Sequence, residues 1–320
     1  NLFVNGVSER EYSVLRDSRD LPLFNRAIQG QYPPGSTVKP IFGLAGLSEG
    51  LITEDTTVVD PGWYRLPGEE RRFRDWTLRV RGTGHGKKVD LHQAIEESCD
   101  VYFYDLAHRL GIDKMHDYAV PFGLGSPTGI DTTHERSGIM PSRAWKRAAR
   151  GQVWFPGETL NVGIGQGHML TTPLQLALAT SIIASRGVRY QPRLLHSVNE
   201  QVVDPVAPRL VEADDVHWAI VHEAMKAVFH GSNGSARSSA RKAAYEMAGK
   251  SGTAQVVGIA QDEEYDEAGT TERHRDHGLF ISFAPYEEPT IAVAVVVENG
   301  GGGSKVAAPI ARKVMDSYLL

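Results

Sequence analysis

Two short apolar runs near the C-terminus, residues 279–283 and 290–297, are joined by the turn-forming Glu287-Glu288-Pro289. That pattern predicts an antiparallel hairpin. The run 291–297 is far shorter than the ~18 apolar residues that cross a bilayer, so it reads as a buried strand. Residues 247–257 offer a third strand. Such a sheet has apolar faces to cover, and the rest of the chain supplies helices. The expected fold class is α/β, an antiparallel sheet covered by helices. With 320 residues, 41% of them apolar, one elaborated domain can hold a sizeable core.

The helices are read from apolar spacing. Val38, Ile41, Phe42, Ala45 and Leu47 recur at threes and fours, and Gly50 is a suitable stop. Pro40 falls in the first turn, where a missing N–H costs little. Ser36 therefore opens a buried helix, with Lys39 one turn on and on the same face. Further helices are expected near residues 90–94, over 101–110 with Gly111 as the stop, from Thr172-Pro173-Leu174-Gln175 to about 184, over 215–230, and over 309–319. Residues 1–30 show no clear period. Residues 52–90 read as an irregular excursion containing Gly82-Thr83-Gly84-His85-Gly86, residues 120–170 as loop-rich, and 261–276 as a long polar loop. No internal repeat or domain linker is visible.

A net charge of −5 gives no reason to expect nucleic acid as a partner. The basic runs Arg71-Arg72-Phe73-Arg74 and 79–81 are offset by acidic stretches such as Asp262-Glu263-Glu264, and both read as solvated faces. No signal peptide is seen, and the first residue is not Met, so a piece of a longer protein is expected. A single cysteine, Cys99, excludes an internal disulfide.

Ser-x-x-Lys occurs twice, as Ser36-Thr37-Val38-Lys39 and as Ser239-Ala240-Arg241-Lys242. Roughly one match is expected by chance from average composition. The second lies in a Ser/Arg/Lys-rich stretch with no apolar face and reads as a solvated loop. The first opens an apolar helix, where burial disfavours a charged amine. A neutral Lys39 could take the proton of Ser36 as it attacks. Taken alone, a capping serine with a surface lysine fits equally well.

Lys250-Ser251-Gly252-Thr253 shifts that balance. Residues alternate faces on a strand, so Ser251 and Thr253 share one face and Lys250 lies opposite. Gly252 lets a ligand approach the backbone. Hydroxyls beside a lysine suit a carboxylate, and a backbone N–H here can serve an oxyanion hole. An ordinary edge strand with a glycine is the bland alternative. The third piece, Ser98-Cys99-Asp100, precedes a helix, and Asp100 alone could be only its N-cap.

In this order the three pieces resemble the penicillin-recognising serine acyl transferases, with their S-x-x-K, S-x-N and K-T-G signatures. Tyr32-Pro33-Pro34-Gly35-Ser36, Thr128-Gly129-Ile130-Asp131, Gly157-Glu158-Thr159, Ile164-Gly165-Gln166-Gly167 and Glu298-Asn299-Gly300-Gly301 extend the resemblance to class B penicillin-binding proteins over nearly the whole chain. Ser98-Cys99-Asp100 and the stretch 85–104 are similar to the elongation-type branch, whose division-type relatives usually carry Asn at the place of Asp100.

The resemblance implies a D,D-transpeptidase that crosslinks peptidoglycan stem peptides during cell elongation and is acylated by β-lactams. It implies Ser36 as nucleophile, Lys39 as general base, Ser98 as proton relay, and Asp100 in contact with substrate and Lys39. Lys250, Ser251, Gly252 and Thr253 would form the strand that holds the substrate carboxylate. Backbone N–H groups of Ser36 and Thr253 would form the oxyanion hole. An ionised Asp100 would favour a protonated Lys39, which is wrong for a base, and Lys250 is expected to offset this by pairing with Asp100. The chemistry requires no cofactor. A structural zinc on Asp60, Asp75, His85 and Cys99 is carried over from similar elongation-type relatives, although a lone cysteine is usually a small buried hydrophobe. His274 and His277, in a rival cluster, read as loop and strand-edge residues near the site mouth. The whole protein would be anchored in the inner membrane with this domain in the periplasm, working with a membrane glycan polymerase and the rod-shape scaffold. The family's sheet usually begins with a strand pair that residues 1–30 do not show. A serine β-lactamase and a β-lactam sensor are the rivals. Glu135 and Glu158 lie in stretches of transpeptidase pattern, so neither marks a deacylating glutamate.

Overall fold

The computed structural model describes residues 2–256 and 269–320. The stretch Asp262-Glu263-Glu264, the start of the expected 261–276 loop, and Val257 lie outside the described residues. Among the described residues, the helices of six or more residues are α1 (Glu9–Arg16), α2 (Lys39–Ser48), α3 (Trp76–Arg81), α4 (Leu91–Glu96), α5 (Asp100–Leu110), α6 (Ile112–Ala119), α7 (Arg143–Arg150), α8 (Pro156–Gly163), α9 (Pro173–Ala184), α10 (Asp215–His230) and α11 (Ala308–Leu319). Helices α9, α10 and α11 pack on an antiparallel sheet of β1 (Ala248–Ala254), β2 (His277–Ala284) and β3 (Ile291–Val297), with β2 in the middle. Phe280 lies opposite Ser251 on one side and Val295 on the other. Central β2 is buried from Gly278 to Ala284, as a strand covered on both faces must be.

Helix α2 is apolar all round and buried from Lys39 to Leu47. Its two glycines let neighbours close in. A Cβ on Gly43 would lie 2.9 Å from Leu91 Cδ1, and one on Gly46 2.7 Å from Leu106 Cδ1. The buried apolar residues of helices and sheet form one contiguous core. Each large side chain in it contributes about 1.5–3 kcal/mol by leaving water.

Several expectations need correction. The helix expected from Ser36 starts as a 3-10 turn, Gly35–Val38, and becomes α-helical at Lys39. Pro40 has no N–H to give the Ser36 carbonyl, so Lys39 N–H bonds it one residue early. The N-cap ahead of α5 is Cys99, and Asp100 is the first helical residue. Residues 1–30 contain α1, closed by a Ser8–Glu11 capping box, and one helical turn, Arg26–Gln29. Helix α1 buries no residue, which is why no apolar period marks it. The 120–170 region holds α7 and α8. The buried residue of α7 is Lys146, so its inner face is not hydrophobic in sequence. The 52–90 excursion folds into α3 and two small strand pairs, Val58–Asp60 with Gly86–Val89 and Trp63–Tyr64 with Phe73–Arg74. Strand β1 ends at Ala254, short of 257. Among the described residues no further strand joins β1 or β3, and no helix is long and apolar enough to cross a membrane.

Candidate active site

Ser36 sits half-buried on the 3-10 turn, between Gly35 and buried Thr37. Gly35 has φ +54°, and a Cβ there would lie 2.6 Å from the Thr253 carbonyl oxygen. The serine turn is thus pressed against the end of β1, and sequence-distant Ser36 and Thr253 become neighbours.

Lys39, one turn on, is fully buried. Its Nζ donates to Ser98 O at 2.9 Å, Cys99 O at 3.1 Å, Asp100 Oδ1 at 2.7 Å and Ser98 Oγ at 3.5 Å. Nζ also lies 5.3 Å from the centre of the Phe103 ring. Ser98 supports this contact with a left-handed backbone, φ +66°, rare for a residue with a side chain. Its carbonyl also accepts from Trp76 Nε1 at 3.2 Å. Burial pushes the Asp100 carboxyl above its usual range, against the pull of Lys39.

Lys250 is fully buried and donates to Ser251 O at 3.1 Å. Burial, reinforced by the charge of Lys39, pushes its pKa well below the ordinary lysine value, with Asp100 opposing. The expected pairing of Asp100 with Lys250 is not formed. Asp100 Oδ1 faces Lys39, because the turn at Ser98 places the start of α5 over that amine.

Among the described residues strand β1 pairs only with β2, and Thr253 O points to the other side, accepting from Gln166 Nε2 at 2.9 Å. In an antiparallel strand a residue's N–H and C=O face the same side. Thr253 N–H therefore faces the open edge beside Ser36. Ser251 Oγ lies 3.1 Å from Ser235 Oγ.

Behind this cluster, Asp60, Asp75, His85 and Cys99 each bring a ligand atom within 4.8 Å of the others. Asp60 Oδ2 meets His85 Nδ1 at 2.7 Å and Cys99 Sγ at 3.3 Å. Asp75 Oδ2 accepts from Asp100 N at 2.6 Å, and its Oδ1 caps α3 through Thr77 N at 2.9 Å. His85 Nε2 is buried without a hydrogen-bond partner among the described residues. Burial pushes the Cys99 thiol far up, with Asp75 and Asp60 adding to it. One nitrogen, one sulfur and two carboxylates, brought this close by buried side chains, suit tetrahedral zinc.

The other candidates fall elsewhere. Ser239 lies on a short 3-10 turn, where its carbonyl accepts from Arg312, and Lys242 is exposed. His277 begins β2, stacks edge-on against Tyr32 with ring centres 5.5 Å apart, and accepts from Asn299 N at Nδ1. Glu135 staples the 128–129 backbone, and Glu158 is engaged by Lys146 and His168. Sequence reasoning assigned no role to Gln166, Trp76 or Ser235. The family-like run Ile164-Gly165-Gln166-Gly167 could have drawn notice to the first. Nothing in spacing or composition marks the other two.

A profile of the penicillin binding protein transpeptidase domain matches residues 4–316. The peptidoglycan D,D-transpeptidase MrdA of Acinetobacter baumannii is 45% identical over 325 residues, covering 100% of this chain and 47% of that protein. The chain thus spans about half the length of the curated relatives it matches. A crystal structure of Pseudomonas aeruginosa PBP2 in complex with WCK 5153 superposes with TM-score 0.87 at 47% identity, over 98% of this chain and 65% of that one. The PBP2 of Helicobacter pylori, solved in complex with MreC, superposes with TM-score 0.84 at 34% identity, over 99% and 55%. With a serine turn, a buried lysine and a Lys-Ser-Gly-Thr strand brought together on this fold, the chain belongs to the penicillin-binding protein transpeptidase domain family.

Proposed function

We propose that the protein carrying this chain is a peptidoglycan D,D-transpeptidase of the elongation type, working through a serine acyl-enzyme. The observation that carries this reading is the convergence of Lys39 Nζ, Ser98 and Asp100 beside a serine turn packed on Thr253. Ser36 Oγ attacks the carbonyl of the penultimate D-Ala while the amine form of Lys39 takes its proton. The 2.7 Å contact with Asp100 holds the Lys39 amine beside Ser98. The carbonyl oxygen gains negative charge between Ser36 N–H and Thr253 N–H. The C–N bond then breaks, and Ser98 Oγ passes a proton from Lys39 to the departing D-Ala. An amine of a neighbouring strand attacks the ester, gives up its proton by the same route, and restores Ser36. Ser251 and Thr253 hold the donor carboxylate, with buried Lys250 beneath and Ser235 beside them.

A β-lactam would enter as a mimic of the donor and leave a long-lived ester on Ser36. Zinc on Asp60, Asp75, His85 and Cys99 would be structural, pinning the 52–90 excursion to the start of α5. An MreC-like scaffold is a proposed partner by analogy with the H. pylori complex, and a membrane glycan polymerase by analogy with a solved peptidoglycan synthase complex that coordinates polymerization and crosslinking. The proposed setting is the periplasmic side of the inner membrane, with the anchor outside this chain.

Incubation with a D-Ala-D-Ala peptide and an amine acceptor tests the reading. Release of D-Ala coupled to acceptor ligation, abolished in Ser36→Ala, is expected. Rapid penicillin hydrolysis would favour a β-lactamase. Acylation without peptide turnover would favour a sensor.

A further inference from the structure

Under the proposed acyl-enzyme function, two backbone N–H groups on separate elements have to converge on one oxygen: Ser36 on the serine turn and Thr253 on β1. A third segment, the loop after α8, bonds to both elements. Gly165 O accepts from Gly35 N at 2.9 Å, and Gln166 Nε2 donates to Thr253 O at 2.9 Å. The loop is itself tied back to α8 through Gln166 N to Asn161 O and Gly165 N to Val162 O, both at 2.8 Å. Its far side carries His168, whose Nε2 lies 3.2 Å from Glu158 Oε1 on α8. Glu158 in turn grips buried Lys146 at 2.6 and 2.7 Å. The assembly leaves no slack, because a Cβ on Gly165 would lie 2.1 Å from the Gly35 carbonyl oxygen.

Among the described residues, strand β1 has no neighbouring strand on its serine side. The Gln166 amide supplies there the donor that a neighbouring strand would have offered to Thr253 O. Resting on the acyl-enzyme function of Ser36, we propose that Gln166 is a positioning residue for acyl transfer: its side-chain N–H, by holding the Thr253 carbonyl, sets the distance between the two oxyanion-binding N–H groups. Its side-chain hydrogen bond goes to Thr253 O and not to Lys39, so it acts on the rate of acylation through the strand end rather than on proton transfer.

The test compares acylation of wild type, Gln166→Met and Gln166→Glu by a fluorescent penicillin across pH, with melting temperature measured on each. Methionine keeps the length and removes the donor. A glutamate cannot donate when ionised but carries one O–H donor when protonated. Losing an oxyanion donor outright costs about 10²–10³ in rate, so misplacing one is expected to slow acylation roughly tenfold in Gln166→Met. Gln166→Glu is expected to be equally slow at neutral pH and to recover toward wild type as pH falls through the range of a carboxyl group. A change of stability alone would not give that recovery in one variant and withhold it from the other. Wild-type rates in Gln166→Met, or a Gln166→Glu profile parallel to wild type, would overturn the proposal. Failure of wild type itself to form an adduct would instead overturn the serine acyl-enzyme reading, and the role of Gln166 with it.

Discussion

Gly35 and Gly165 carry no side chain because there is no room for one. Both have positive φ, and a Cβ on either would overlap a carbonyl oxygen of the facing segment. Gly165→Ala is expected to slow penicillin acylation about tenfold or more and to destabilise the fold by about 1–3 kcal/mol. Stopped-flow acylation and urea unfolding check the two parts. Lys39→Ala removes the proton acceptor, and acylation is expected to fall by about 10²–10⁴ with little change in the serine turn. Lys250 poses a different question, since it is buried with one backbone acceptor. Its folded pKa lies below the ordinary 10.5. The unfolded chain therefore binds the proton more readily, and the cost to stability grows as pH falls from about 10.5 toward the folded value. Lys250→Met is expected to melt higher than wild type at neutral pH, the gap narrowing as pH rises toward 10.5. A melting series over pH reads this directly, and a constant gap would contradict it.

At the scale of elements, the 52–90 excursion has little regular structure, and the Asp60–Asp75–His85–Cys99 cluster binds it to the start of α5. Purified protein is expected to hold about one zinc per chain. A chelator is expected to lower both the melting temperature and the acylation rate, because Asp75 also holds Asp100 N. Metal analysis without zinc, together with a fully active Cys99→Ala, would remove the metal from the account. The element scale also shows what the sequence could and could not reveal. Helices α2, α5, α9 and α10 were legible because each presents apolar residues to a shared core. Helix α7 was not, because the side chain it buries is Lys146, an amine satisfied by Glu158 from another helix. Ser36, Lys39, Ser98, Asp100 and Lys250 were legible as motifs. Asp100 meets Lys39 as expected, but its expected pairing with Lys250 is not formed, and the left-handed turn at Ser98 that aims Asp100 at Lys39 has no signature in a serine. Gln166 and Ser235 escaped assignment because the side chain of each makes one hydrogen bond to a sequence-distant partner among the described residues.

For the whole molecule, one core joins the helices to the sheet, and a buried histidine links its stability to pH. His222 on α10 donates from Nε2 to Ile183 O at 2.7 Å and packs on Phe283. Burial pushes its pKa below the ordinary 6.5, with Arg186 adding and the Ile183 carbonyl and Glu223 opposing. Its contribution is complete above pH 6.5 and is lost as pH falls through the folded value. His222→Gln is expected to flatten the acid side of the stability profile, as urea unfolding between pH 5 and about 7 would read. The central claim is that this fold brings Ser36 and Lys39 together as a nucleophile and its base. Peptide mapping by mass spectrometry after brief penicillin treatment of wild type, Ser36→Ala and Ser98→Ala tests it most directly. The account requires the adduct on Ser36 in wild type and in Ser98→Ala, where it forms more slowly, and none in Ser36→Ala. An adduct on Ser98, Ser235 or Ser239, or one that survives in Ser36→Ala, would contradict it.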